Sequence, residues 1–335
     1  MNFCFLVVWM LCLDILKSRS DSYDIEEDEK RIIPAIFNGT LYIPSLDGYI
    51  SAVKVVGGTL VWKQNLQELT GINTSYYNGI IVSKSTPTIA CAYDLIIVGI
   101  YGPAVVIALD MSTGKLVWST HLHSHPAAVL SMPGMFHNGA FYIGTSSVEE
   151  ITKSEECCSF RGSVSKLDAQ TGKVLWTRYM LPDNNGHPGE YAGAAIWNTM
   201  WGSNSIDCIR NHLYIATSSL YSAPLRVRQC QIMHKNQTMP SNSDKCVEPD
   251  DHSNSIIALD LDTGEIMWYQ HLGGCYSSPE APRMFLTFDN YSNRDAVVAI
   301  LHDGVVLAID RTTGRIMWWR VSSLSSGISG IMKGP

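Results

Sequence analysis

Three histidines, His121, His123 and His125, alternate along the stretch after Trp118. In an extended segment alternate residues share one side, so the three imidazoles form an edge that a metal can use. Loop histidines serve more often as ordinary polar groups, and that reading stays open. Cys157 and Cys158 are adjacent. A bridge between neighbours holds its Cα atoms only ~3.8 Å apart, under the usual disulfide range, so it would form a strained, specialised ring. Pairing with other cysteines is the plain alternative. Cys230 and Cys246 flank a polar stretch and most simply close it as a loop. No CxxC, CxxCH or finger spacing occurs, so neither a zinc ribbon nor covalent haem is indicated.

These residues sit between copies of one repeated unit. Ala108-Leu-Asp-Met-Ser-Thr-Gly-Lys-Leu-Val-Trp118 recurs at Lys166–Trp176, Ala258–Trp268 and Ala308–Trp318, with a weaker copy at Ala52–Trp62. Alternating apolar residues end at Asp, Thr-Gly supplies a positive-φ turn position, and a second short strand ends in Trp. A further strand precedes each copy, such as Leu41-Tyr-Ile-Pro or Phe141-Tyr-Ile-Gly. A single small sheet cannot bury both faces alone. Stacked radially, each sheet covers its neighbour and the Trp wedges between them.

The Trp spacings are 56, 58, 92 and 50 residues. Removing the 35-residue polar stretch Leu220–Asn254 reduces the odd interval to 57. A second insertion, Ser147–Phe160, falls at the equivalent place, between the second and third strands of a unit. Such loops open on the face opposite the Thr-Gly turns. Insertions gathered on one face mark it as the binding face, together with the segments after Trp118, Trp176 and Trp268.

The Ala-x-Asp-x-x-Thr-Gly-x-x-x-Trp unit resembles the tryptophan-docking repeat of pyrroloquinoline quinone (PQQ) dehydrogenases. Ser85-Thr-Pro-Thr-Ile, Cys157-Cys-Ser-Phe-Arg-Gly-Ser and Tyr191-Ala-Gly-Ala-Ala-Ile-Trp are similar to plant relatives of polyvinyl-alcohol dehydrogenase. The resemblance spans about residues 36 to 320. It implies an all-β, eight-bladed propeller holding PQQ and Ca²⁺ at its axis, and oxidation of a small or polymeric alcohol; it names no electron acceptor. By the same resemblance, Glu149 or Glu150, ahead of Arg161-Gly162, is a metal ligand, with a solvated acidic loop as the alternative. The second ligand position, an Asn in the family, is Ser219 here. Trp201 matches the tryptophan stacked under the quinone, with Trp197 as the other choice. Cys157, Cys158 and Arg161 fall at the cofactor, although the family's dehydrogenases carry the cysteine pair about a blade earlier. The base position after Trp268 lacks its Asp, and Glu280 is the carboxylate available there.

Hydrophobic residues make up 46% and charged residues only 16%, a balance that fits loop-rich β structure and argues against coiled coil or disorder. Net charge is −7 with no basic patch, which argues against nucleic-acid binding. Phe3–Leu13 is an apolar run too short for a membrane span and suited to a signal peptide over residues 1–20. An acidic linker or blade remnant, residues 21–35, precedes the propeller domain over 36–335. Sequons start at Asn38, Asn73, Asn236 and Asn290, consistent with a secreted glycoprotein. The seven cysteines beyond the leader leave at least one thiol unpaired within the chain. At roughly 56 residues a unit, the length beyond the leader supports five to six blades, so the chain reads as a truncated member of an eight-bladed family. Two functions remain: a PQQ-dependent alcohol oxidoreductase, weak or inactive in this form, or a non-catalytic propeller that binds a partner through its inserted loops.

Overall fold

A computed structural model describes residues 33–73, 79–151, 157–193, 204–233, 246–272, 283–287, 296–300, 305–321 and 332–333. The expected signal peptide and nearly all of the acidic linker lie outside these residues.

The alternating apolar pattern of each repeat folds into an antiparallel four-stranded sheet whose strands pair in chain order. Blade 1 comprises Ala35–Phe37, Thr40–Pro44, Tyr49–Lys54 and Leu60–Asn65. Blade 2 comprises Thr88–Ala90, Leu95–Ile100, Val105–Asp110 and Leu116–His121. Blade 3 comprises Met135–His137, Ala140–Gly144, Ser163–Asp168 and Val174–Tyr179. Blade 4 comprises Ser205–Asp207, His212–Ala216, Ser255–Asp260 and Ile266–His271. Blade 5 comprises Arg283–Thr287, Ala296–Ile300, Val305–Asp310 and Ile316–Val321, and Met332–Lys333 adds a fifth strand at its outer edge. Helices among the described residues are short: α1, Leu66–Thr70, capped by the Asn65 side chain and ended by Gly71 at φ 65°, and α2, Leu225–Met233.

The Thr-Gly turns explain the repeat's consensus. Asp110 Oδ1 accepts from the backbone and hydroxyl of Thr113, at 2.8 and 2.7 Å, and Asp168, Asp260 and Asp310 hold their threonines the same way. These hydrogen bonds lower the Asp110 carboxyl below its ordinary value, the side-chain hydroxyls of Ser112 and Thr113 first. Gly114, Gly172, Gly264 and Gly314 then take φ near 70°. Their missing Cβ also makes room for the tryptophan of the preceding blade. A Cβ on Gly172 would lie 2.5 Å from Trp118, and one on Gly264 would lie 2.7 Å from Trp176.

Each tryptophan also donates its indole N–H to the next blade's turn: Trp62 to the Met111 carbonyl (2.9 Å), Trp118 to Ala169 (3.1 Å), Trp176 to Leu261 (3.3 Å) and Trp268 to Arg311 (2.9 Å). Between blades lie dry layers, such as Tyr42, Ile50 and Ala52 against Ile96, Val98 and Leu109. Each aliphatic side chain removed from water there contributes about 1.5–3 kcal/mol. Radially stacked antiparallel sheets, locked by a docked tryptophan at each described junction, define a β-propeller. Five of its blades are described.

Candidate functional site

Both insertions leave between the second and third strands of their blades, on the face away from the Thr-Gly turns, as the repeat spacing predicts. On that face they are tied to the inter-blade segments. Ser146–Ser147 pairs with Ala128–Val129, and Leu220–Ser222 pairs with Ala192–Gly193. Arg161 bridges to Gly193, whose carbonyl accepts from Gly162 N at 2.8 Å and whose N–H donates to the Phe160 carbonyl at 3.0 Å. Four separate loops thus become one hydrogen-bonded layer.

Glu149 is the centre of that layer. Its carboxylate accepts from Ser159 N (3.1 and 3.2 Å) and Phe160 N (2.8 Å), and its Oε1 lies 3.3 Å from His125 Nε2. Its side chain is 15% exposed. Burial pushes the carboxyl up, but His125 and the two amides outweigh that and hold it below the ordinary value. His125 Nδ1 accepts from Ala127 N at 3.1 Å, so the ring proton belongs on Nε2, which faces Glu149 and, at 3.1 Å, Ser159 Oγ. His123 is likewise committed: Nδ1 accepts from His125 N (3.1 Å), leaving Nε2 to donate to the Arg161 carbonyl (3.2 Å). Burial first, then the neighbouring His125, pull its pKa down to about 4. His121 ends its strand exposed. Two of the three alternating histidines therefore converge, and what they meet is the Ser159–Arg161 backbone and Glu149.

Cys157 and Cys158 form the vicinal disulfide, with Cα atoms 3.2 Å apart. The two sulfurs lie 3.5 and 3.7 Å from the Glu149 carbonyl oxygen; lacking protons, they make a packing contact there. Ser222 Oγ accepts from Cys158 N at 3.2 Å and donates to the Glu190 carbonyl at 2.7 Å. Arg161 donates to the Leu181 carbonyl (2.8 Å) and to Asp183 (3.0 Å), with its guanidinium 4.5 Å from the Tyr179 ring centroid. Asn184, buried, donates to the carbonyls of Ser159 and Tyr191, at 2.8 Å each. Ser219 is half-buried beside Gly193, where a Cβ would lie 3.4 Å from the Ser219 carbonyl. Cys230 and Cys246 bridge, closing the long insertion as its flanking cysteines suggest. Cys91 and Cys208 are exposed free thiols.

The structure thus gathers Glu149, Cys157, Cys158, Arg161 and Ser219 on one face. Glu150's side chain, Trp197, Trp201 and Glu280 lie outside the described residues. Sequence reasoning missed the partnership of Glu149 with His125; the signal for it was the histidine alternation, read toward a metal instead. It also missed a buried ion pair on the opposite face, Arg311 to Asp207 at 2.9 Å, both side chains at most 1% exposed. There the signal was a charged residue at the post-Asp position, occupied by Met111, Ala169 and Leu261 in the other repeats.

A family profile described as outer membrane protein assembly factor BamB, the PQQ_2 repeat, matches residues 16–270 and 160–331. The chain belongs to this PQQ-repeat family. It is 27% identical to a polyvinylalcohol dehydrogenase of Sphingopyxis sp. (strain 113P3) over 242 residues, 70% of this chain and 32% of that protein. It is 25% identical to a quinohemoprotein alcohol dehydrogenase of Comamonas testosteroni over 278 residues, 76% of this chain and 35% of that one. The chain spans about a third of the length of these curated relatives. The crystal structure of the Comamonas testosteroni enzyme superposes with a TM-score of 0.63 at 18% identity, covering 87% of this chain and 42% of that one. The alcohol dehydrogenase ADHIIG of Pseudomonas putida HK5 gives 0.64 at 20% identity, over 90% and 43%. At that identity the likeness establishes the propeller fold.

The resemblance implies PQQ and Ca²⁺. A hard divalent cation takes six to eight oxygen ligands. Among the described residues no cluster of three or more His, Cys, Asp and Glu side chains is placed to hold a metal. Glu149, the candidate ligand, already receives amide hydrogen bonds on both oxygens and faces His125. As arranged, this donor set does not fit Ca²⁺.

Proposed function

We propose that this chain is a quinoprotein alcohol dehydrogenase-like propeller that oxidises alcohols weakly or not at all. The observation that carries the reading is the state of Glu149, the candidate ligand, whose oxygens are engaged by Ser159 N, Phe160 N and His125. Two substitutions support it. Ser219 stands where the resemblance expects an amide ligand, and the stretch after Trp268 offers Glu280 in place of the expected Asp. Loss of a positioned general base by itself costs about 10²- to 10⁴-fold.

The test is dye reduction by the purified protein after incubation with PQQ and Ca²⁺, using primary, secondary and polymeric alcohols. Turnover at the level of an active quinoprotein, abolished by Glu280→Gln, would contradict the reading and make Glu280 the base. Retained cofactor binding without turnover supports it. The second reading, a scaffold acting through its inserted loops, is favoured by the disulfide-closed 230–246 excursion carried on α2. We place the protein in the secretory pathway. The two disulfides and the exposed sequon residues Asn38 and Asn73 support this.

A further inference from the structure

Cys158 is the node at which three segments of the insertion face meet. Its backbone N–H donates to Ser222 Oγ at 3.2 Å, and its carbonyl accepts from Gly189 N at 3.2 Å. Ser222 passes the link on by donating to the Glu190 carbonyl at 2.7 Å. It also belongs to the short ladder that lays the start of the long insertion, Leu220–Ser222, on Ala192–Gly193. The third segment is that of Glu149, whose carbonyl carries both sulfurs and whose carboxylate takes the amides of Ser159 and Phe160. Tyr221 ties the two insertions a second time, donating to the Ser147 carbonyl at 3.4 Å.

The disulfide determines where this node sits. Neighbouring side chains of ordinary extended backbone point to opposite sides. The bond holds Cys157 and Cys158 on one side, against the Glu149 carbonyl, and the peptide inside the ring is the one whose N–H donates to Ser222. Bonded sulfurs lie about 2 Å apart, whereas two thiols separate to nonbonded contact, roughly 3.5–4 Å. Reduction therefore demands about 1.5–2 Å of movement. Cys158 is 3% exposed and has no room for it. The hydrogen bonds around it, at 3.2 Å, tolerate only a few tenths of an ångström more.

We propose that Cys157–Cys158 is a thiol–disulfide exchange site whose redox state controls how firmly the long insertion is attached. The co-reactant is a dithiol reductant. Its thiolate attacks the sulfur of Cys157, the half-buried member of the pair, and Cys158 leaves as thiolate. The reductant's second thiol then resolves the mixed disulfide. Two electrons and two protons pass to the cysteine pair, and the reductant ends as a cyclic disulfide. Freed of the ring, the Cys157–Cys158 peptide turns away from Ser222. The Leu220–Ser222 ladder, with α2 behind it, loses its anchor. This holds whether or not the chain oxidises alcohols.

The test is hydrogen–deuterium exchange of the full chain, read by mass spectrometry before and after dithiothreitol. Iodoacetamide labelling reports which cysteines are reduced; Cys91 and Cys208, both free and exposed, label in either state. Oxidised wild type protects residues 187–193 and 220–224. Reduction labels Cys157 and Cys158 and speeds exchange in both stretches at least about tenfold, while Val105–Asp110 and Val305–Asp310 stay unchanged. Reoxidation restores the protection. Cys230→Ser/Cys246→Ser responds to dithiothreitol in the same way, which assigns the effect to the vicinal pair. Cys157→Ser/Cys158→Ser exchanges fast without reductant and does not respond to it. Should one double variant misfold, the other and the reoxidation of wild type decide the matter. A pair that stays oxidised in dithiothreitol while the blades remain folded overturns the proposal. So does a reduced pair with unchanged exchange at 187–193 and 220–224, or a response that disappears in Cys230→Ser/Cys246→Ser.

Discussion

Replacing Trp118 with alanine removes a side chain that is 8% exposed, donates to Ala169, and rests on Gly172 where no Cβ fits. Truncating a buried Trp costs about 3–5 kcal/mol, of which the lost hydrogen bond is about 1. Trp318 is chemically the same residue in the same register, but it is 40% exposed and buries only about two-thirds as much of its surface. With no blade beyond it among the described residues, its removal encloses no cavity, so Trp318→Ala is expected to cost about 1–2 kcal/mol. Urea unfolding followed by circular dichroism measures both. The difference, about 1–4 kcal/mol, is the signature of docking rather than of Trp content. Equal losses would refute the reasoning, because they would mean that the interlock adds nothing to local strand packing.

Asp207→Asn should destabilise by about 3–5 kcal/mol, since it removes the carboxylate that the buried Arg311 guanidinium faces at 2.9 Å, whereas the double variant Asp207→Asn/Arg311→Met should recover much of that in the same unfolding assay. Acid should also weaken the fold. His123 titrates near 4 when folded and near 6.5 when unfolded, so its contribution is complete above about pH 6.5 and is lost as pH falls toward 4. Glu149, held below its ordinary value, adds a loss at lower pH, as pH drops through its folded pKa. Melting temperature against pH should flatten between 6.5 and 4 in His123→Gln, and an unchanged slope would contradict the assignment.

Much of the scaffold is legible in the repeat because its determinants are local. Asp-x-x-Thr-Gly writes its own turn, through an aspartate capped by threonine and a glycine at positive φ. What is not local is less legible. That Gly114 also receives Trp62 depends on a residue 52 positions earlier, and the consensus shows only that both are present. The site repeats the lesson. Cys157 and Cys158 pair as adjacency suggested, and Glu149 sits beside them. Its His125 partner lies 24 residues upstream in another blade's exit segment, a contact made by packing alone. Arg311 was readable as an oddity in the repeat, but its partner Asp207 belongs to a different strand pattern.

Glu149 is committed to partners within the chain, and calorimetric titration of Ca²⁺ into the PQQ-incubated protein tests that directly. The expected result is no saturable single-site binding in wild type. Ser219→Asn, which restores the amide expected at the second ligand position, should not by itself create such a site, because the Glu149 oxygens stay hydrogen-bonded to Ser159, Phe160 and His125. Stoichiometric Ca²⁺ binding by wild type that disappears in Glu149→Gln would contradict the account and identify Glu149 as a metal ligand.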